Sequence, residues 1–470
     1  MVSVKNMPEL KRTMFREYDI RGQVGPEELN ETSVKLITRA FGSTLIETGV
    51  SQCVVGYDNR SYSKGLAEAA IEGLVSTGVH VKNVGQVTVP VAYWAQYHLD
   101  VKGICMGTAS HNPNGWFGLK LGMDKSSTLQ GFDELYSRIV REDFLSGDGS
   151  REDVSTDEII QAYIKDLTSR ATLHRPLKVV VNTGNGAAGP INVPALKAFG
   201  CEVIEQNTTP DATFPNHEPN PSSVGFQKAL EAKVMEVGAD CGLGYDADGD
   251  RLGVVDERGR TMYPDKILIF LARLALAKEP GASIVYDVKA TRAISDDVIA
   301  HGGKPVIWKT GHSHIKAKSR EVDAPVAGER SGHIFIRRGY FGYDDGLFAS
   351  MKFLEYVTSQ EKSVAELHDE VSTYATSPTY EAHCADEVKY GIVDKLVQDV
   401  KEKYGSEKVV DVNGARVEFD DGWGLVRASS NLPKLVLVFE ARTQERMNTI
   451  KNEFESLIAK YPEIGKMEAE

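Results

Sequence analysis

Cysteine is scarce, long apolar runs are missing and positive charge is outweighed, and each shortage removes a class of protein. The five cysteines, Cys53, Cys105, Cys201, Cys241 and Cys384, are odd in number and lie far apart with no Cys-x-x-Cys pair. That spacing supports neither a disulfide framework nor a zinc site and predicts a reducing compartment. No segment approaches the ~20 apolar residues of a membrane span, and Met1 to Leu10 mixes Lys5 and Glu9 with short apolar stretches in place of a signal-peptide core. A cytoplasmic protein with no membrane partner is expected. Lys and Arg number 54 against 67 Asp and Glu, a formal charge of −13, which argues against nucleic acid as a partner because phosphate backbones are met by basic faces. Local phosphate binding stays open to an acidic protein. No low-complexity stretch interrupts the 470 residues, whose 41% hydrophobic and 26% charged content describes a globular chain long enough for about three to four domains.

One unit recurs three times: an apolar strand, a polar loop, a helix of about fifteen residues, then a Gly and a second strand. The first copy runs from Cys53-Val54-Val55-Gly56-Tyr57-Asp58 through a helix around Ala67 to Leu74 and on to Gly78-Val79-His80-Val81. The second joins Lys178-Val179-Val180-Val181 to Gly200-Cys201-Glu202-Val203-Ile204, and the third joins Ser283-Ile284-Val285-Tyr286-Asp287 to Gly303-Lys304-Pro305-Val306-Ile307-Trp308. Three β-α-β units a domain's length apart predict three related α/β domains in series. Polar punctuation near Ser146 to Ser150, Glu257 to Gly259 and Thr376 to Pro378 predicts the joints between domains. From about residue 374 the pattern changes. Strands such as Ala415 to Phe419 and Leu435 to Phe439 precede a closing helix through Met447, Ile450, Phe454 and Leu457. The expected fold class is therefore α/β, three related domains with mixed sheets plus a C-terminal α+β domain, bounded at 1–155, 156–259, 260–373 and 374–470.

Two segments carry chemistry. Gly107-Thr-Ala-Ser110-His-Asn-Pro113-Asn-Gly115-Trp-Phe-Gly-Leu-Lys120 follows the apolar run Gly103-Ile104-Cys105-Met106 and places Ser110 on a tight turn, Pro113 setting φ and Gly115 permitting positive φ. A hydroxyl held exposed there can carry a covalent group; an ordinary turn whose serine caps a helix is the alternative. Asp246-Ala-Asp248-Gly249-Asp250-Arg251 puts three carboxylates at i, i+2 and i+4, on one side of an extended or loop backbone but scattered around a helix. Such a cluster repels itself unless a cation joins it, and hard oxygen ligands suit Mg²⁺ or Ca²⁺, Gly249 letting the loop curl. A calcium EF-hand is excluded at its sixth position, where Arg251 replaces the required Gly, and by flanks that read as strands. A solvated acidic turn is the remaining alternative.

With these two segments the chain resembles the α-D-phosphohexomutases, most closely their bacterial phosphomannomutase/phosphoglucomutase branch. The resemblance runs nearly end to end, through Phe15-Arg-Glu-Tyr18-Asp-Ile-Arg21-Gly22, both loops above, Asp287-Val-Lys289-Ala-Thr-Arg292, Lys309-Thr-Gly-His312-Ser313, Gly328-Glu329-Arg330-Ser331-Gly332-His333 and Arg427-Ala-Ser429-Ser430-Asn431-Leu-Pro433. It implies four domains in a heart shape around a central cleft, carrying in order a phosphoserine, a metal, a sugar and a phosphate loop. It implies that Ser110 is a phosphoserine, that Asp246, Asp248 and Asp250 hold Mg²⁺ together with the Ser110 phosphate, and that the partners are small sugar phosphates. The implied activity is that of an isomerase, an intramolecular phosphotransferase interconverting hexose 1- and 6-phosphates of mannose and glucose through glucose 1,6-bisphosphate or its mannose counterpart. Lys120 and His333 are the candidates for general acid/base work, and Arg21 and Arg251 for charge stabilisation at the transferred group. A surface lysine and a sugar-positioning histidine are the alternatives for the first two. Glu329 and Ser331 are placed to bond the hydroxyls at ring positions 3 and 4 that gluco and manno sugars share. Tyr18, Lys289 and His312 match substrate-contacting positions, with a core aromatic as the alternative for Tyr18. Arg427, Ser429, Ser430 and Asn431 form the grip on the distal phosphate. The chain departs from the pattern at Arg330, where the branch carries Met, and at Ser430 and Asn431, where it usually has Asn and Thr.

A third motif points elsewhere. Val179-Val-Val-Asn-Thr-Gly184-Asn-Gly186-Ala-Ala-Gly189 is a Gly-x-Gly-x-x-Gly after a strand, with Glu205 about twenty residues beyond, which alone reads as a dinucleotide fingerprint. An NAD-dependent dehydrogenase is one alternative function on that ground, though it leaves the Ser110, Asp246 and Arg427 loops unexplained. Phosphoglucosamine mutase and a non-catalytic sugar-phosphate binding protein are the others.

Overall fold

A computed structural model of the chain describes residues 10–430 and 432–469. They pack into two compact units: residues up to Pro264 with Ser331–His368, and Asp265–Arg330 with the residues from Asp369 onward.

In the first unit the run beginning at Cys53 forms the strand Gln52–Tyr57, parallel to His80–Gln86 on one side and Gly103–Gly107 on the other. A strand flanked on both sides and buried on both faces needs a continuous apolar run, and Cys53, Val54 and Val55 supply it. Gly103–Gly107 pairs antiparallel with Trp116–Gly122, which pairs in turn with Ile20–Gln23. The Asn-Pro-Asn-Gly turn is thus the tip of a hairpin in whose register Lys120 faces Met106, bringing Ser110 and Lys120 out of the same local structure. The helix Glu31–Glu47 packs behind, its start fixed by a capping box in which Asn30 and Ser33 satisfy each other's backbone N–H groups.

A second mixed sheet runs in the order Thr261–Met262, Leu252–Asp256, Cys241–Tyr245, Lys178–Asn182, Glu202–Gln206. Cys241–Tyr245 and Leu252–Asp256 form an antiparallel hairpin closed by the pair Tyr245 and Leu252, so the three aspartates occupy its connecting loop. Gly249 adopts φ of 76° there, a conformation that bears no side-chain penalty only for glycine. The Gly184 to Gly189 motif packs onto this loop: a Cβ on Gly186 would meet the Ala247 backbone at 2.3 Å, and one on Gly189 the Thr208 carbonyl oxygen at 1.7 Å. Ala187 N–H also donates to Ala247 O at 2.7 Å. The glycines admit protein backbone where a dinucleotide phosphate would lie, which removes the ground for a dehydrogenase.

The second unit contains the parallel strands Ser283–Asp287, Lys304–Trp308 and Val326–Gly328 and an antiparallel sheet built on Ala415–Phe419, Gly422–Ala428, Lys434–Ala441 and Tyr380–His383. The closing helix is Gln444–Ile458, burying Met447, Ile450, Phe454 and Leu457 as its spacing requires. Trp423, Leu425, Val436 and Val438 share a core with Val288, and the buried Arg416 guanidinium stacks 3.8 Å over Trp423 while donating to Val288 O at 2.7 Å and Ala290 O at 2.9 Å.

The fold is α/β with a C-terminal α+β domain, but one local reading changes. The helices of the repeated unit, Ser63–Val75, Gly189–Phe199 and Arg292–Ala300, have 13, 11 and 9 residues, shorter than their pattern suggested. Gly200 at φ of 108° and the sequence His301-Gly302-Gly303 end the latter two early. Backbone at the polar stretches read as joints is itself paired or turned between paired strands: Ser150 lies in register with His80, Glu257 to Gly259 turn between paired strands, and Ser377 N–H donates to Phe439 O at 2.8 Å.

Candidate active site

Ser110 is not exposed, as its turn suggested, but buried at 3% accessibility, with φ of 51°. No helix follows it, which removes the capping alternative. Its Oγ donates to Asp246 Oδ2 at 3.1 Å and lies 3.1 Å from His111 Nδ1. The left-handed backbone is held by a buried pair that the sequence reading missed. Asp58, at the end of the strand Gln52–Tyr57, binds Arg60 and accepts from Thr108 Oγ1 at 3.1 Å and Ala109 N–H at 3.4 Å. Arg60 in turn donates to the carbonyls of Ser110 at 2.9 Å and Asn112 at 2.6 Å. Arg21 reaches the same loop, donating to Asn112 Oδ1 at 2.5 Å and anchored on Asp19 at 2.7 Å. Tyr18 is half-buried in the turn between Phe15 and Ile20, which pair with each other, rather than a core aromatic.

Asp246, Asp248 and Asp250 are fully buried and converge, with one ligand oxygen from each lying within 4.8 Å of the others. Solvation therefore does not relieve their repulsion. Burial and then the charges of Asp250 and Asp248 push the Asp246 carboxyl well above its usual range. Burial pushes Asp248 the same way, but Lys120, hydrogen bonds from Asp246 and Thr108, and Arg251 outweigh it and bring that carboxyl to about 2. Lys120 is buried, not a surface lysine, with Nζ 2.5 Å from Asp250 Oδ2 and 3.6 Å from Asp248 Oδ2. Burial opposes its charge; Asp250, Asp248 and Asp344 more than compensate and hold it well above the usual lysine range. Asp248 Oδ1 and Asp250 Oδ1 are buried without a hydrogen bond. An all-oxygen donor set with unsatisfied buried acceptors fits a hard divalent cation.

Arg251 joins this loop to His333. Its backbone N–H donates to Asp246 Oδ1 at 3.1 Å, its Nε to His333 Nε2 at 3.1 Å, and the two backbones form a β-bridge. The other ring nitrogen of His333 lies 2.9 Å from Asp344 Oδ2. Neither Asp344 nor His111 stood out in the sequence. Burial, followed by the charges of Arg251 and Arg21, pushes the His111 imidazole well below its usual range, so it is neutral beside Ser110. Ser331 is half-buried two residues before His333.

The other residues singled out in the sequence lie in the second unit. Glu329 is buried and accepts from Gly311 N–H at 2.6 Å, the residue before the helix His312–Glu321, which starts at the buried His312. Lys289 Nζ lies 3.8 Å from Asp287 Oδ2; burial first, then Arg427 and Arg330, lower its pKa despite Asp287. Arg330, the departure from the family pattern, donates to Lys289 O at 3.3 Å and Ser377 O at 3.4 Å, and its backbone N–H to Asp287 Oδ1 at 3.1 Å. It ties down the Lys289 segment, a role that Met could not fill. Arg427 is buried and donates to Ser430 Oγ at 3.3 Å, and Ser429 Oγ accepts from Leu432 N–H at 3.2 Å. Beneath this loop Lys389, 2% exposed, donates to Ser429 O at 2.6 Å, Leu432 O at 3.0 Å and Asp386 at 2.6 Å. It too was missed, because a lone lysine at a helix start reads as surface. Asn431 lies outside the described residues.

Fold and side chains define an α/β enzyme with a serine set against a carboxylate triad, and comparison with known proteins gives the family. Models of phosphoglucomutase/phosphomannomutase α/β/α domains I, II and III and of the C-terminal domain match residues 12–144, 161–259, 263–374 and 386–457. A Pseudomonas aeruginosa protein named phosphomannomutase/phosphoglucomutase is 38% identical over 454 residues, 96% of this chain and 97% of that one. A Neisseria meningitidis phosphoglucomutase is 35% identical over 97% of this chain and 99% of its own length. A crystal structure of a phosphoglucomutase/phosphomannomutase family protein from Burkholderia thailandensis superimposes with a TM-score of 0.90 at 36% identity, covering 98% of this chain and all of that one. The chain belongs to the phosphoglucomutase/phosphomannomutase family. Among the described residues no helix is long and apolar enough to cross a membrane.

Proposed function

We propose that the protein is a hexose phosphate mutase that interconverts the 1- and 6-phosphates of glucose and mannose, with Ser110 carrying the phosphoryl group between them. The observation that supports this most directly is the Ser110 hydroxyl, 3.1 Å from Asp246 in a loop whose three carboxylates can hold a cation. Asp246, Asp248 and Asp250 would hold Mg²⁺, which when bound offsets the charge of the Ser110 phosphate.

Phosphoryl transfer demands in-line placement and charge neutralisation more than covalent chemistry from the protein. Phosphorylated Ser110 gives its group to the free hydroxyl of a hexose monophosphate; the resulting 1,6-bisphosphate turns end for end and returns its other phosphate to Ser110. Arg21 and Arg251 stabilise charge on the transferring group. Lys120, held charged, is the acid that protonates the leaving oxygen, and neutral His111 is a candidate proton acceptor beside Ser110 Oγ. His333, whose Nε2 accepts from Arg251 Nε at 3.1 Å, is the other candidate for acid/base work. Glu329 and Ser331 recognise sugar hydroxyls, with Tyr18, Lys289 and His312 as further contacts. Arg427, Ser429, Ser430 and Asn431 grip the phosphate that is not transferred.

A coupled assay with Mg²⁺ and a trace of glucose 1,6-bisphosphate tests the proposal on glucose 1-phosphate, mannose 1-phosphate and glucosamine 1-phosphate in parallel. Comparable turnover of the first two is expected. Turnover of glucosamine 1-phosphate alone would assign a phosphoglucosamine mutase instead, and no turnover of any would refute the mutase reading.

A further inference from the structure

We propose that Arg416 is a positioning residue of the substrate site: from the C-terminal sheet it clamps the carbonyls on either side of Lys289 and so fixes that side chain relative to Arg427. The inference deepens the mutase reading and rests on it for Lys289 as a substrate contact. Lys289 sits in the turn between the strand Ser283–Asp287 and the helix Arg292–Ala300, where carbonyls belong to no sheet or helix ladder and need other donors. Three successive ones are taken by arginines. Arg416 donates to Val288 O at 2.7 Å and Ala290 O at 2.9 Å, and Arg330 donates to Lys289 O at 3.3 Å. At the end of the turn, Arg292 N–H donates to the buried Glu440 at 2.9 Å.

Strand alternation explains why the clamp comes from one sheet face. Ala415 and Val417 belong to the core formed with the helices Lys389–Tyr404 and Gln444–Ile458, so Arg416 between them projects to the opposite face, where it lies in register with Leu425. Trp423, on that same face, pairs across strands with Glu440 and donates its indole N–H to it at 2.8 Å. The partners of Val288, Ala290 and Arg292 therefore stand side by side. Arg427 follows Trp423 by four residues on one strand and shares its face. Burial and then the charge of Arg427 lower the Lys289 pKa, so the two cations are near enough to repel, and a phosphate between them would relieve that repulsion. Burying a guanidinium is a poor source of stability, since an apolar side chain of similar volume often serves as well. What Arg416 supplies is direction: Glu418 takes its Nε at 2.7 Å, and Nη1 goes to the backbone flanking Lys289.

The test uses the full-length protein. In Arg416→Met, hydrogen–deuterium exchange read by mass spectrometry should quicken across residues 287–292, where Val288 N–H and Ala290 N–H now donate to Trp308 O and Asp287 O. Binding of glucose 1-phosphate in titration calorimetry should weaken about tenfold, recover in part in Arg416→Lys, and weaken no further when Arg416→Met is added to Lys289→Met. In the mutase assay the loss should fall on KM, with a smaller effect on kcat. Additive losses in the double variant, or unchanged exchange across 287–292 in a folded Arg416→Met, overturn the proposal; unchanged affinity in Lys289→Met refutes the contact on which it rests. Arg330→Met removes the clamp on Lys289 O from outside the Trp423 core and keeps the test valid where Arg416→Met does not fold: its loss of affinity should likewise vanish in the Lys289→Met background, and additivity there counts against the proposal. The exchange result needs neither ligand nor turnover, which separates failure of this inference from failure of the mutase reading.

Discussion

Lys120 Nζ lies 2.5 Å from Asp250 Oδ2 and 3.6 Å from Asp248 Oδ2, although the two segments are 130 positions apart in sequence. One buried ammonium therefore borders the carboxylates that would bind a divalent cation, and the two cations repel through a medium of low effective dielectric. Lys120→Met should tighten Mg²⁺ binding by at least about tenfold in titration calorimetry while reducing turnover. An unchanged or weakened affinity would show that the lysine supports the loop's shape more than it competes for its charge.

Ser110 is expected to be indispensable to turnover but not to binding. Ser110→Ala removes the proposed phosphoryl carrier and keeps the strain of about 1–2 kcal/mol that serine already bears at φ of 51°. Ser110→Gly removes the same hydroxyl without that strain. Both variants should lose at least about 1,000-fold in kcat and still bind glucose 1-phosphate by calorimetry. Activity in either variant would mean that Ser110 is not the phosphoryl carrier.

What could be read from the sequence divides along the range of the interactions. The turn at Asn112 to Gly115 and the aspartates at 246, 248 and 250 are local patterns, fixed by residue types within a few positions, and both were legible. Their burial was not. Ser110 read as exposed because the residues that enclose it, Asp58, Arg60 and Asp246, lie 50 to 136 positions away. Lys389 was invisible for the same reason: a lone charge at a helix start carries no local mark of the carbonyls it serves. The glycines at 184, 186 and 189 misled in the opposite sense. Close backbone approach demands glycine whether the incoming backbone belongs to a cofactor loop or, as here, to Ala247 and Thr208.

Lys389 supports the Ser429 to Leu432 turn, the proposed phosphate grip, through two carbonyl oxygens. Lys389→Met should therefore loosen the Ser429 to Leu432 turn and raise KM for hexose phosphate by about tenfold, the worth of one or two buried charge-assisted hydrogen bonds, with a smaller effect on kcat. Lys389→Arg should recover part of the loss. A fall in kcat with KM unchanged would place the effect on the chemical step and contradict a supporting role in binding.

Asp345 makes a component of stability that depends on pH with a defined sign. Burial is the largest influence on its carboxyl and lifts it from 3.8 to about 6, even though Phe348 N–H, Tyr340 and Tyr163 pull the other way. The folded protein then binds the proton more tightly than the unfolded chain does, so this contribution is fully present below 3.8 and is lost as pH rises through about 6. A difference of this size corresponds to about 3 kcal/mol across the whole range. Asp345→Asn cannot titrate and provides the reference. The thermal midpoint of the wild type relative to Asp345→Asn should fall as pH rises from 3.8 through about 6, the interval over which the unfolded chain has given up this proton and the folded protein still holds it, and level off above it. A relative midpoint that rises over the same interval would show that the tyrosine hydroxyls stabilise the carboxylate more than burial penalises it.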